Sequence, residues 1–183
     1  MRVTRFASVM ALCTAFCLPS VALGRQQAQR AAHAEDTVSR EVRHQLLMLS
    51  RYTVFDILQY SVSGGHVTLK GSVTNPTLKS DAQAAVKSIE GVESIDNQIE
   101  VLPLSPNDDQ IRRAVYRAVY SQPSLQRYAE GAMQSIHIIV KNGNVTLVGA
   151  VGSESDKDVA NLQAKSVPNV FSVTNELTVE KDS

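Results

Sequence analysis

The densest run of side chains able to bind a ligand lies between residues 112 and 120. Arg112, Tyr116 and Tyr120 recur at four-residue spacing with Arg113 and Arg117 beside them, and on a helix this row makes one basic-aromatic face. A guanidinium pairs with phosphate oxygens while a phenol settles at a polar-apolar boundary, so the face suits an anionic phospholipid surface. Three arginines at about 1 kcal/mol each would give weak, salt-sensitive attachment. The same residues also suit a solvated helix face or a contact with the preceding part of the chain. The counterpart upstream, with Arg40, Arg43 and His44, is less aromatic and includes Glu41, which makes residues 112–120 the better candidate.

Other chemistry finds less support. His33, His44, His66 and His137 fall in four different contexts without paired ligand spacing. Glu154, Asp156 and Asp158 alternate like a calcium loop, but the sixth-position glycine and terminal glutamate are missing. Their place at the start of a helix suits the macrodipole instead. Gly65 and Gly71 flank a strand rather than a helix N-terminus, so a phosphate loop is not expected. There is no G-x-S-x-G elbow or supported Ser-x-x-Lys pair. The reading is a non-enzymatic protein without metal or cofactor.

Charge and cysteine content depend on the first two dozen residues. Phe6 to Leu23 carry no charge behind Arg2 and Arg5, Pro19 and Ser20 end the apolar run, and Ala22 and Gly24 are small. This is the pattern of a secretory leader over residues 1–24, cleaved after Gly24 or Ala22. Leu12 and Phe16 precede the two cysteines, so a lipoprotein is not expected. The whole chain has 18 basic and 18 acidic residues. Cleavage takes two arginines and both cysteines, leaving a mildly acidic, thiol-free periplasmic protein that relies on packing rather than disulfides. A nucleic-acid partner is not expected from that balance.

The elements that must position these residues come from an internal repeat. An offset of 78 residues aligns Val62–Val101 with Val140–Val179 without a gap, and fifteen of the forty pairs are identical, too many for chance. Both copies read G-x-V-T-L-x-G-x-V, at Gly65–Val73 and Gly143–Val151. Upstream, Val38, Val42 and Leu46 match Ile111, Val115 and Val119 at an offset of 73, so the second copy carries about five extra residues before its first strand. Helical spacing marks a first helix in each copy. Two strands follow around Gly64-Gly65 or Asn142-Gly143, residues able to supply the positive φ of a tight hairpin turn. A second helix starts at Asn75-Pro76 or Ser153, with Gly91 or Asn169 as the expected left-handed residue at its end. A last strand runs through Ile95, Ile99 and Val101, or Val173, Leu177 and Val179.

The expected organisation is a polar lead-in at 25–34, disordered or weakly helical, a first unit at 35–102, a proline-stiffened linker at 103–106 and a second unit at 107–181. Each unit is α-β-β-α-β, and the fold class is α+β: two tandem domains, each a three-stranded sheet with two helices packed on it. Units of about 70 residues bury only about 60% of their unfolded surface, so neither offers a deep cleft alone.

The duplicated unit, the G-x-V-T-L-x-G-x-V core, and Gly91-Val92 with Ile95 and Asn97 resemble the BON domain family, in the tandem form of periplasmic OsmY-like proteins. The resemblance implies an exported, non-enzymatic module that associates with phospholipid or other envelope components and supports envelope integrity or osmotic stress tolerance. A soluble chaperone-like or protein-interaction module, working through an exposed sheet edge or apolar groove, is the alternative. Two departures stand out: Asn169 replaces a glycine, and Gln122 to Gln134 is longer than its counterpart.

Overall fold

The computed structural model describes residues 20–130 and 134–180. Most of the expected leader therefore lies outside the described residues. The first unit consists of α1 (Ser20–Leu47), β1 (Ile57–Ser63), β2 (His66–Val73), α2 (Pro76–Lys87), β3 (Ser94–Asn97) and β4 (Glu100–Val101). The second consists of α3 (Pro106–Tyr120), a short 3-10 turn (Gln126–Tyr128), β5 (Ile136–Lys141), β6 (Asn144–Val151), α4 (Glu154–Lys165) and β7 (Ser172–Val179). The architecture is α+β, with helices packed on one face of each small sheet. Helix α1 runs continuously through the stretch read as a lead-in. No helix among the described residues is long and apolar enough to cross a membrane.

In each sheet the second strand is central. It pairs antiparallel with the first, Val62 opposite Val67 and Val140 opposite Val145, and parallel with the last, Val67 opposite Ile95 and Val145 opposite Val173. In the first unit the last strand is broken between Asn97 and Glu100, so β3 and β4 pair separately with β2. An asparagine shared by both copies ties this strand to the helix before it. The Asn97 amide donates to the Lys79 carbonyl and its oxygen accepts from the Ile99 amide; Asn175 does the same with Lys157 and Leu177.

The hairpin turns adopt the positive φ angles their residues predict, 54° and 81° at Gly64 and Gly65, 52° and 76° at Asn142 and Gly143. Gly71 and Gly149 have a different role. A Cβ on either would lie 2.0 Å from the Ile57 carbonyl oxygen or 1.9 Å from that of Ser135, so the first two strands approach closely only without a side chain there. Gly91 and Asn169 are left-handed as expected. They stand three residues past the helix caps, Ser88 and Ser166, and turn the chain into the next strand.

One apolar stripe per element builds each core. Val42, Leu69, Val73, Leu78, Ala82 and Val86 are fully buried in the first unit. Val115, Val119, Ile136, Ile138, Val145, Leu147, Ala160 and Ala164 are fully buried in the second.

Candidate functional site

Helix α3 begins with a cap and a proline: Ser105 accepts the Asp108 amide, and Pro106 occupies the first turn. Asp108 is buried and accepts the amides of Asn142 and Gly143 at 2.9 and 2.8 Å, which locks the β5–β6 turn onto the start of the helix. Ile111, Val115 and Val119 fill the core beneath.

The five residues expected on one exposed face divide into two groups. Arg112 and Tyr120 are buried, 4% and 8% exposed, so neither is available to a surface ligand. The Arg112 guanidinium donates to the Val140 carbonyl at 2.7 Å and pairs with Asp109. The Tyr120 hydroxyl donates to the Ile136 carbonyl at 2.7 Å, and burial raises its pKa far above that of a free phenol. Both side chains therefore cap the free edge of β5, covering backbone groups that an edge strand otherwise leaves open. Arg113 and Arg117 remain exposed and Tyr116 is half-buried between them.

Between the Arg112 and Tyr120 contacts the β5 edge is met from the first unit. The segment between α1 and β1 reaches across, and the Ile138 amide donates to the Val54 carbonyl at 2.8 Å. Val54 itself, 7% exposed, is part of the second unit's core. Phe55 meets the Tyr116 ring edge-on at 6.2 Å, and Tyr116 leans on Tyr120 at 4.9 Å. Asp56 holds the segment in shape. Its carboxylate, fully buried, accepts from the amide and hydroxyl of Thr53 and from the amide and hydroxyl of Thr74. Glu100 and Lys141 add an ion pair between the units.

Tyr52 stacks on His137. Burial pushes the Tyr52 phenol up to about 12, a backbone bond at Leu58 opposing and the Asp56 charge adding to it. Burial also pulls His137 below the ordinary imidazole range, against the raising influence of the Asp56 and Thr53 backbone and the Asp56 charge. Its Nδ1 has no hydrogen-bond partner among the described residues.

Where the segment meets α3 an open cleft of about 540 Å³ forms. Tyr52, Thr53, Val54 and Phe55 make one wall; Arg113, Tyr116, Arg117 and Gln134 make the other. No acid lines it, and neither arginine has a carboxylate at ion-pair distance among the described residues. Two unpaired cations beside three aromatic rings can hold an anion carrying an apolar or hydroxylated portion.

Residues 52–55 and His137 did not stand out in the sequence. The available signal was a comparison of outward-facing strand positions: the first copy has Gln59 and Ser61, the second His137 and Ile139, both 8% exposed. The apolar replacement marks a covered surface.

Of the remaining candidate acids, Glu154 and Asp158 are exposed, and Asp156 is held by packing. Asp156 is buried at the start of α4, bonded to Ser153, to the Tyr128 hydroxyl and to Arg127. Within the longer Gln122–Gln134 segment, Arg127 and Tyr128 meet Asp156, where the first copy has the core residue Leu78. Among the described residues no three His, Cys, Asp or Glu side chains group to hold a metal.

No curated protein matches the sequence. Two solved structures with low likeness are the structural protein CdsD of the type III secretion system of Chlamydia trachomatis and its C-terminal domain. The first is 12% identical, covers 80% of this chain and 94% of its own, and has a TM-score of 0.32. The second is 12% identical, covers 77% and 96%, and has a TM-score of 0.27. The BON domain model matches twice, at residues 34–103 and 107–181. The chain therefore belongs to the BON domain family, a generally non-enzymatic family associated with envelope and membrane-related proteins, and carries two tandem copies of the domain.

Proposed function

We propose that this is an exported periplasmic protein that associates with anionic phospholipid of the cell envelope through the second BON domain and supports envelope integrity under osmotic stress. The observation that carries the reading is the cleft between Tyr52–Phe55 and α3, which no described acid lines and where neither Arg113 nor Arg117 has a carboxylate partner among the described residues. Arg112 and Tyr120 act one step removed: by fixing α3 to the β5 edge they set the direction in which Arg113, Tyr116 and Arg117 point. Two arginines at about 1 kcal/mol each give a weak attachment that salt screens. The test is co-sedimentation of the purified protein with phosphatidylglycerol-containing vesicles at low and high salt, with Arg113→Glu/Arg117→Glu as the control. Binding at low salt that the double variant loses supports the reading; wild-type protein left in the supernatant at low salt removes it.

A further inference from the structure

The two copies differ at one strand edge, and the difference points to a second site. In the second unit one outward backbone group is met at each of three β5 positions: the Ile136 carbonyl by Tyr120, the Ile138 amide by Val54 and the Val140 carbonyl by Arg112. The equivalent positions in the first unit are Leu58, Tyr60 and Val62, by the offset of 78. The pairing of Ser63 with His66 across the two-residue turn sets the alternation: the amides and carbonyls of Tyr60 and Val62 point away from β2. Among the described residues those four groups have no hydrogen-bond partner outside the hairpin.

The helix above explains why. By the offset of 73, Ser39 stands where the second unit has Arg112, and Asp36 where it has Asp109. The first unit thus keeps the acid of the Arg112 arrangement and lacks the arginine. Among the described residues Ser39 reaches only the Tyr60 hydroxyl, at 3.4 Å. What remains is an open groove of about 460 Å³ between α1 and the β1 edge, bounded by Glu35, Asp36, Ser39, Tyr60 and Val62. Among the described residues Asp36 pairs only with Arg40, at 3.4 Å, with both side chains about two-thirds exposed, a pair of little energetic weight.

We infer that this groove binds an extended polypeptide segment carrying an arginine or lysine, which adds as a strand to the free edge of β1. The second unit supplies the template inside the same chain. The incoming cation sits between the Asp36 carboxylate and the Val62 carbonyl, as Arg112 sits between Asp109 and the Val140 carbonyl. The incoming backbone pairs with Tyr60 and Val62, as Val54 pairs with Ile138. Main-chain bonds supply affinity without a sequence requirement, and the acidic groove selects for one basic residue. This site shares no residue with the lipid cleft and does not depend on it.

The experiment is fluorescence anisotropy with a labelled eight-residue peptide of alternating valine and threonine carrying one central arginine. Glutamate replaces the arginine in a second peptide, and a third is N-methylated at alternate amides. The wild-type chain is expected to bind the first peptide about tenfold more tightly than either of the others, since each loses a charge-assisted or main-chain bond. Ser39→Arg fills the groove from within and should weaken binding by a similar factor without lowering the melting temperature. Asp36→Lys, on an exposed side chain, should do the same should Ser39→Arg disturb folding. Arg113→Glu/Arg117→Glu should bind the peptide like wild type. Equal binding of the arginine and glutamate peptides, or of wild type and both groove variants, overturns the inference. So does sedimentation showing that Ser39→Arg acts by dissociating a self-associated wild type, since the occupant is then a second copy.

Discussion

The His137 imidazole lies on the Tyr52 phenol across the junction of the two domains, ring centroids 5.5 Å apart and planes 21° from parallel. His137 belongs to β5 of the second domain and Tyr52 to the segment before β1 of the first, so the stack reports directly on whether the domains are docked. Asp56, whose charge acts on the imidazole, already accepts four hydrogen bonds at its carboxylate and has little capacity left for an imidazolium.

This makes the junction sensitive to acid. Burial favours the neutral imidazole, so the folded value lies below the ordinary 6.5, and the unfolded chain binds more protons in the interval between the two. Stability from this residue is full above pH 6.5 and declines as pH falls through that interval. Urea unfolding at a series of pH values is expected to show the decline, and His137→Gln to flatten it. Asp156 titrates in a separate window. Burial raises its pKa, but hydrogen bonds from Ser153 and Tyr128 and the Arg127 charge outweigh this and hold it below 3.8. Its contribution is thus present above 3.8 and is lost only as pH falls through the lower folded value.

Val54→Ala removes two methyl groups from a side chain that lies in the first domain by sequence and in the second domain's core by contact. The expected loss is about 2 kcal/mol. Hydrogen exchange should place the loss in β5, with faster exchange at the Ile138 amide, and leave the amides of β2 protected.

Tyr128→Phe takes one donor from Asp156 and one acceptor from the Gly152 amide, which the Tyr128 hydroxyl meets at 2.8 Å. The expected cost is about 1–3 kcal/mol. A double-mutant cycle with Asp156→Asn, read by urea unfolding, should show the two changes to be non-additive.

Arg112→Gln separates edge capping from ligand contact. The side chain is 5% exposed and its guanidinium serves Val140 and Asp109, so the substitution is expected to cost about 2 kcal/mol of stability. Arg113→Gln, on the exposed side of the same helix, should cost less than about 0.5 kcal/mol. Thermal unfolding of the two variants side by side checks the ordering.

The duplicated α-β-β-α-β order and both hairpin turns were readable because they rest on local requirements: helical spacing of apolar residues and positive φ at Gly64-Gly65 and Asn142-Gly143. The inward turn of Arg112 and Tyr120 was not. Helical spacing puts them beside the Ile111–Val115–Val119 stripe, and polar tips are read as exposed because burying them unpaired is costly. Here the partners are the carbonyls of Val140 and Ile136, which only tertiary packing brings under the helix. Tyr52–Phe55 has no periodicity, and its contribution arises from docking against β5. Two of the three arginines and one of the two tyrosines proposed from sequence remain at the cleft.

The central claim is that Arg113 and Arg117 hold an anionic headgroup beside Tyr116. The most direct measurement is the affinity of the full chain for vesicles of increasing phosphatidylglycerol content in phosphatidylcholine, repeated across salt concentrations for wild type and Arg113→Glu/Arg117→Glu. The account predicts affinity that rises with anionic content, falls with salt, and is lost in the double variant while its melting temperature is kept. Affinity that is indifferent to anionic content, or unchanged in the double variant, would contradict it.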